Sequence, residues 1–363
     1  MGEKMVETKK EYGFEPDYAI PPGETLKETV ESIGMTQIEF AKRTGLTVQS
    51  INRIYKGEQP IIYETANKLE LVTGVPARFW NNLEANYREQ LEKIKELDEL
   101  NNNLDWLKII PVGELQKRGL ISKTSNKNEQ LRDALKFFAV SSVPTWEKVW
   151  NEPKVAARRS TCFESIPGHA ATWIRQGELL AQKIQCAPYD KNRFKEAIAE
   201  IRSLTLDTPK NFGPKMTELC AQAGVALSLV PEMKKVPWNG ATKWLHANKA
   251  MIIINLRGKR EDKFWFSFFH EAGHVLNDNK KKLYINDESD DPVEVRANDF
   301  AASILFPGGS REEIPRLTTK SKIVLFAQKI GLSPGIIAGQ FQFLTGKWTW
   351  YHSLIRKFVW NNQ

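Results

Sequence analysis

No apolar run in this 363-residue chain approaches the ~18 residues needed to span a bilayer. Its opening stretch, MGEKMVETKKEYGFEPDY, lacks the apolar core of a secretory signal. A membrane span and export are therefore not expected, and the cytoplasm is the expected compartment. Cysteine is scarce. Cys162, Cys186 and Cys220 are widely spaced and odd in number, which excludes a disulfide framework and a paired-cysteine metal site. Buried thiols in a reducing cytosol are the plain expectation. Histidine is also scarce, at five residues, and two of the five fall inside one pentapeptide.

That pentapeptide is His270-Glu271-Ala272-Gly273-His274. On a helix, residues four apart project from one face, where two imidazoles can grip one Zn²⁺. Glu271 falls beside them, placed to take a proton from a metal-activated water. The preceding Phe264-Trp265-Phe266-Ser267-Phe268-Phe269 is apolar enough to bury such a helix. A catalytic zinc needs three protein ligands and one open position. Downstream, Ala297, Ala301, Ile304 and Leu305 recur at helical spacing, which predicts a second buried helix. Glu294 and Asn298 share its face one turn apart. Glu294 can complete a His-His-Glu site, and Asn298 can hydrogen-bond a ligand imidazole and fix its tautomer. Taken alone, Glu294 would read as an exposed helix carboxylate.

FHEAGH followed by EVRANDFAASILFP resembles the ImmA/IrrE family of gluzincin-type metallopeptidases, over roughly Phe212 to Pro307. The resemblance implies that His270, His274 and Glu294 bind zinc and that Glu271 is the base. It also implies a site-specific protease acting on helix-turn-helix repressors. The family commonly has an acidic or amide residue where Arg296 stands here.

A second motif lies near the N-terminus. Thr36 with Glu39 forms a capping box, Gly45 breaks the helix, and Thr47 caps another running through Tyr55. This is helix-turn-helix spacing. The second helix turns Ile51 and Ile54 inward and exposes Val48, Gln49, Ser50, Asn52 and Arg53. Gln, Asn and Arg can pair with base edges, while Lys42, Arg43 and Lys56 can meet phosphate. The DNA-contacting set is thus Gln49, Ser50, Asn52, Arg53 and Lys56. Pro22 to Tyr87 resembles the HigA-type antitoxin branch of the phage-repressor-like family. Residues 1–90 carry eleven Lys/Arg against fourteen Asp/Glu, so the net +8 of the chain comes from the remainder. A local basic patch can still serve DNA, and a protein-binding module is the alternative.

Elsewhere the chain reads as mostly helical. Leu91, Ile94, Leu97 and Leu100 form one apolar stripe in a charged helix over 88–105, a spacer or dimer helix or simply a solvated one. Trp146, Trp150 and Trp173 lie among Lys148, Arg158, Arg159 and Arg175. Helical core is the favoured reading over a nucleobase platform. Val225–Val230, Gly240–Leu245 and Ala250–Leu256 read as strands of a small sheet, suited to holding an extended substrate at an edge. His246 and Tyr284 are candidate oxyanion donors. Phe326–Ser333 echoes Phe40–Thr47, but Pro334, Gly335, Ile336, Ile337, Ala338 and Gly339 cannot read a base edge.

The expected architecture is multidomain and mainly α, an all-α helix-turn-helix domain plus an α+β gluzincin-like peptidase domain with a small sheet. The expected boundaries are a helix-turn-helix domain at 1–90, a helical connecting region at 91–210, the zinc peptidase domain at 211–310, and a C-terminal helical tail at 311–363. The expected function is a transcriptional regulator carrying a Zn²⁺-dependent endopeptidase. Its expected partners are a DNA operator, a repressor or antitoxin substrate, and a second copy of the chain. The alternative is a non-enzymatic HigA-like repressor whose peptidase fold binds or senses.

Overall fold

The computed structural model describes residues 18–151, 167–285 and 291–360. The fold is mainly α with one small mixed sheet, and it divides into two compact units at Leu104/Asp105.

The first unit is all-α: α1 (Pro22–Ser32), α2 (Gln37–Thr44), α3 (Val48–Tyr55), α4 (Tyr63–Thr73) and α5 (Ala77–Asn102). Local chemistry sets the boundaries. Thr36 Oγ1 accepts from the Glu39 amide at 3.3 Å and starts α2. Gly45, at φ 69°, ends it in a left-handed turn that a β-carbon would strain. Thr47 Oγ1 then accepts from the Ser50 amide at 3.0 Å and starts α3. Leu26, Phe40, Ile51, Ile54, Leu69 and Trp80 fill the core beneath. The buried carboxylate of Glu84 accepts from the Ile61 amide and pairs with Arg88, which holds the loop after α3 to α5. The stripe on α5 is graded: Leu100 is buried, Leu91 and Ile94 half-buried, Leu97 exposed.

The second unit opens with α6 (Val112–Lys117), α7 (Lys127–Phe138), α8 (Val143–Trp146), α9 (Pro167–Lys183), α10 (Lys191–Ser203) and α11 (Pro209–Gln222). Trp146, Trp150 and Trp173 are all buried, and the first two pack edge-on against Phe138. They are core, as the sequence favours. Arg175 is spent on Glu178 at 2.8 Å, while Arg158 and Arg159 lie outside the described residues. Cys220 is buried and Cys186 half-buried, both as free thiols, and Cys162 also lies outside the described residues.

The sheet contains β1 (Val225–Leu229), β2 (Gly240–His246), β3 (Lys249–Ile254) and β4 (Tyr284–Ile285), in the order β1-β3-β2-β4. β1 and β3 run parallel, with Val225 opposite Ala250. β2 runs antiparallel to β3, with Thr242 opposite Ile252, and antiparallel to β4, with Thr242 opposite Tyr284. Strand side chains alternate between faces. Ala250, Ile252 and Ile254 join the main core with Trp265, Phe268 and Phe269 of α12 (Glu261–Asn277). Ile253 points the other way, toward α9, whose approach is so close that a β-carbon on Gly177 would meet its side chain. By the same alternation, Gly240, Thr242 and Tyr284 share the face that meets α12.

α13 (Pro292–Leu305), α14 (Lys320–Ile330) and α15 (Pro334–Thr345) complete the unit. One apolar core draws on residues from Phe194 to Phe358. Helices from the segments at 91–210 and 311–363 therefore share the core that surrounds the His270–His274 helix. The echo near the C-terminus does form a helix, a left-handed Gly331 at φ 67° and a second helix. Its second helix is a core element, buried from Gly335 to Gln342. Gly335 and Gly339, one turn apart, lie against Glu261 and Asp262, where a β-carbon would clash. No single helix among the described residues is long and apolar enough to cross a membrane.

Candidate functional site

Helical spacing places His270, Glu271 and His274 on α12, and all three are completely enclosed. α13 crosses α12 closely because Gly273 has no side chain. A β-carbon there would lie 3.1 Å from the Phe300 ring. This packing brings Glu294 to both histidines. Its two carboxylate oxygens lie 3.0 Å from His270 Nε2 and 3.4 Å from His274 Nε2. The two Nε2 atoms are 3.0 Å apart.

The opposite ring nitrogens are also occupied. His270 Nδ1 faces Asn298 Oδ1 at 2.9 Å, and His274 Nδ1 faces Asp278 Oδ2 at 2.8 Å. Both partners are acceptors, so each Nδ1 carries a proton, and a ring that holds no second proton presents its Nε2 lone pair inward. Two lone pairs and a carboxylate thus converge on one point. They repel unless a proton or a cation lies between them. Zinc bonds of about 2.0–2.1 Å at tetrahedral angles place ligand atoms about 3.3 Å apart. The observed triangle is within a few tenths of an ångström of that spacing, so the residues present fit a divalent ion with nitrogen and oxygen ligands.

Glu271 sits beside this triangle. Its Oε2 accepts from Thr242 Oγ1 at 2.6 Å, while Oε1 is buried without a hydrogen-bond partner. Burial pushes its carboxyl up to about 7, outweighing the two histidines and the Thr242 hydrogen bond. Burial also opposes charge on His274. The hydrogen bonds to Asp278 and Glu294 and the nearby carboxylate charges outweigh it, so the ring rises to about 9. Burial raises Glu294 and Asp278, but their histidine partners, and Arg296 beside Asp278, hold both below the usual carboxylate range.

The two candidate oxyanion donors are placed differently. The Tyr284 ring stacks on His274 at 4.7 Å, with its hydroxyl turned away to accept from the Asn279 amide at 2.9 Å. His246 is exposed at the end of β2, and its Nδ1 faces the Asn248 amide at 3.4 Å. The sequence reading missed Gly240, Thr242 and Asp278. Asp278 is four residues after His274, so helical spacing could have signalled it. The contacts of Gly240 and Thr242 with Glu271 carry no local signal.

On the first unit, Gln49, Asn52, Arg53 and Lys56 are exposed on and just after α3. Ser50 is half-buried, with its hydroxyl bonded to Gln59 at 3.0 Å. Gln37 of α2 donates to Asn52 Oδ1 at 2.8 Å, which pins one candidate base-reading side chain to the preceding helix.

Two capped helices around Gly45 make a helix-turn-helix, and on crossed helices against a small sheet stands a His-His-Glu triangle that could hold a metal ion, as in a metallopeptidase-type domain. Residues 26–80 match the family described as helix-turn-helix. Residues 230–338 match the peptidase family described as the IrrE N-terminal-like domain. The chain is thus an N-terminal helix-turn-helix domain fused to an ImmA/IrrE-type domain. No curated protein matches it significantly.

Proposed function

We propose that this chain is a DNA-binding regulator carrying a zinc-dependent, site-specific endopeptidase whose substrate is a repressor or antitoxin protein. The observation that carries the reading is the convergence of His270 Nε2, His274 Nε2 and the Glu294 carboxylate beside the unpartnered Oε1 of Glu271. Zn²⁺ held by those three residues supplies Lewis acidity to a water or a peptide carbonyl oxygen. The remaining steps belong to the protein. Thr242 holds Oε2 of Glu271, leaving Oε1 free to accept a proton from the attacking water. The same carboxyl then returns that proton to the leaving amine. Asn298 and Asp278 keep the two imidazoles in the tautomer that presents Nε2. Enclosure strengthens each of these electrostatic interactions.

For the first unit, the reading is sequence-specific DNA binding through Gln49, Asn52 and Arg53, with Lys42, Arg43 and Lys56 at the phosphates. Two copies of the chain would match a palindromic operator. The presence of a helix-turn-helix and a peptidase in one chain supports a substrate that itself works on DNA.

A second reading draws on the complete enclosure of His270, Glu271 and His274. On that reading the chain is a HigA-like antitoxin or repressor whose peptidase fold binds or senses without cutting. One experiment separates the two. New protein N-termini are mapped in cells expressing wild type or Glu271→Gln. Termini within a helix-turn-helix repressor or antitoxin that vanish in the variant support the peptidase. Identical maps favour the second reading.

A further inference from the structure

Both imidazoles of the metal triangle are oriented from α13, but by different routes. Asn298, four residues after Glu294, reaches His270 Nδ1 directly. His274 Nδ1 has no partner on α13. It meets Asp278 Oδ2 at 2.8 Å, on the residue that follows the last turn of its own helix. The other oxygen of that carboxylate, Oδ1, accepts from Arg296 Nη2 at 3.1 Å. Arg296 lies on α13, midway in sequence between Glu294 and Asn298. Three alternate residues of α13 therefore address the site. Glu294 faces both Nε2 atoms, Asn298 holds one ring, and Arg296 holds the other through Asp278.

The surroundings make Asp278 a built position. Its side chain is 6% exposed. Its amide donates to the His274 carbonyl at 3.1 Å, closing the last turn of α12. The loop beyond it is closed by the Asn279 amide on the Tyr284 hydroxyl, and the Tyr284 ring stacks on the His274 ring. The imidazole is thus fixed at its plane and at its far nitrogen. Arg296 is 58% exposed, so its ion pair contributes little to overall stability. Its effect is directional, since it occupies the oxygen that would otherwise let the carboxylate rotate away from His274.

From this arrangement we infer that Asp278 and Arg296 are positioning residues that form a relay clamp on His274 and tie the helix bearing the third ligand to the helix bearing the first two. Metal retention then depends on the pair, with Arg296 acting only through Asp278. The inference rests on the metal-centre reading above.

The test uses the full chain, Zn²⁺ as the probe, and competition against a chromogenic chelator. Partners of metal-bound histidines typically account for about 10–100-fold in metal affinity. Asp278→Ala is expected to weaken zinc binding by that factor, with the melting curve of the metal-free protein little changed. Asp278→Asn, which keeps an oxygen acceptor, is expected to recover most of the loss. Arg296→Ala is expected to weaken binding severalfold in the wild-type background and not at all in the Asp278→Ala background. Co²⁺ spectra should shift in Asp278→Ala, because the altered ring changes the ligand field. Zinc affinity equal to wild type in Asp278→Ala, or an Arg296→Ala loss that persists without Asp278, overturns the clamp. Should Asp278→Ala not fold, Asp278→Leu, which keeps side-chain volume but offers no acceptor, carries the same comparison alone and combined with Arg296→Ala. A wild-type chain that binds no zinc overturns the metal-centre reading instead.

Discussion

A β-carbon on Gly240 would lie 2.5 Å from Oε1 of Glu271. The glycine at the start of β2 is what lets the sheet approach the carboxylate that the proposed reaction uses as base. Gly240→Ala must push that carboxylate off its position, because the neighbouring backbone is fixed in a ladder with β3. Overpacking of this kind costs about 1–3 kcal/mol. The expected result is a lower melting temperature and a large loss of peptide cleavage, with about one zinc per chain retained as the three-ligand rule requires. Full cleavage activity in Gly240→Ala would place the working base elsewhere.

Glu271→Gln keeps the shape of the side chain but cannot accept a proton. It is expected to retain zinc, fold and operator binding while cleavage of a repressor substrate falls by several orders of magnitude. Metal analysis and a gel-based cleavage assay on the same preparation check this. Wild-type cleavage by the variant removes Glu271 from the mechanism.

Glu294→Ala removes the carboxylate facing both Nε2 atoms. It should strip most of the zinc without unfolding the chain, because the core around α12 is apolar and does not depend on the ion. Elemental analysis with undiminished zinc would dismiss Glu294 as a ligand.

The pH dependence follows from the sign of the shifts. The His274 ring, raised from 6.5 to about 9, binds its proton more tightly in the folded, metal-free protein than in the unfolded chain. That contribution to stability is fully present below pH 6.5 and is lost as pH rises through 9. Glu271, raised from 4.5 to about 7, acts with the same sign at lower pH. Glu294 and Asp278, both lowered, act with the opposite sign, and their contribution is lost only in acid. Chelator-stripped protein should therefore melt at a lower temperature at pH 9 than at pH 7, and His274→Ala should flatten that slope. Zinc affinity should rise over the same interval, because the ligand nitrogen must shed its proton. A metal-free melting temperature that climbs from pH 7 to 9 contradicts this account.

Arg53 is exposed on α3. Arg53→Ala is expected to cost about 1–3 kcal/mol at a specific operator and to relax base preference there. Footprinting and titration against operator and scrambled duplexes measure it. A wild-type chain that protects no operator and binds neither duplex would make the first unit a protein-binding module.

Local chemistry was legible in the sequence. Thr36, Gly45 and Thr47 set α2 and α3 through caps and a left-handed turn that act within a few residues. His270 and His274 share a face because a helix repeats every 3.6 residues. The same locality misleads at the echo near the C-terminus. Gly331 makes the same turn as Gly45, but whether the next helix faces solvent or core depends on what packs on it. Gly335 and Gly339 commit it to α12.

The sequence by itself therefore determined that His270 and His274 share one helix face and which helix could read DNA, since both follow from periodicity and capping. Only the tertiary structure decided that Thr242, 29 residues before Glu271, would hold its Oε2. It alone turned the Tyr284 hydroxyl toward Asn279 and joined Arg296 to Asp278 across two helices. Those pairings arise from strand register and helix crossing, which are set by the filling of a shared apolar core. No short window of residues encodes that sum.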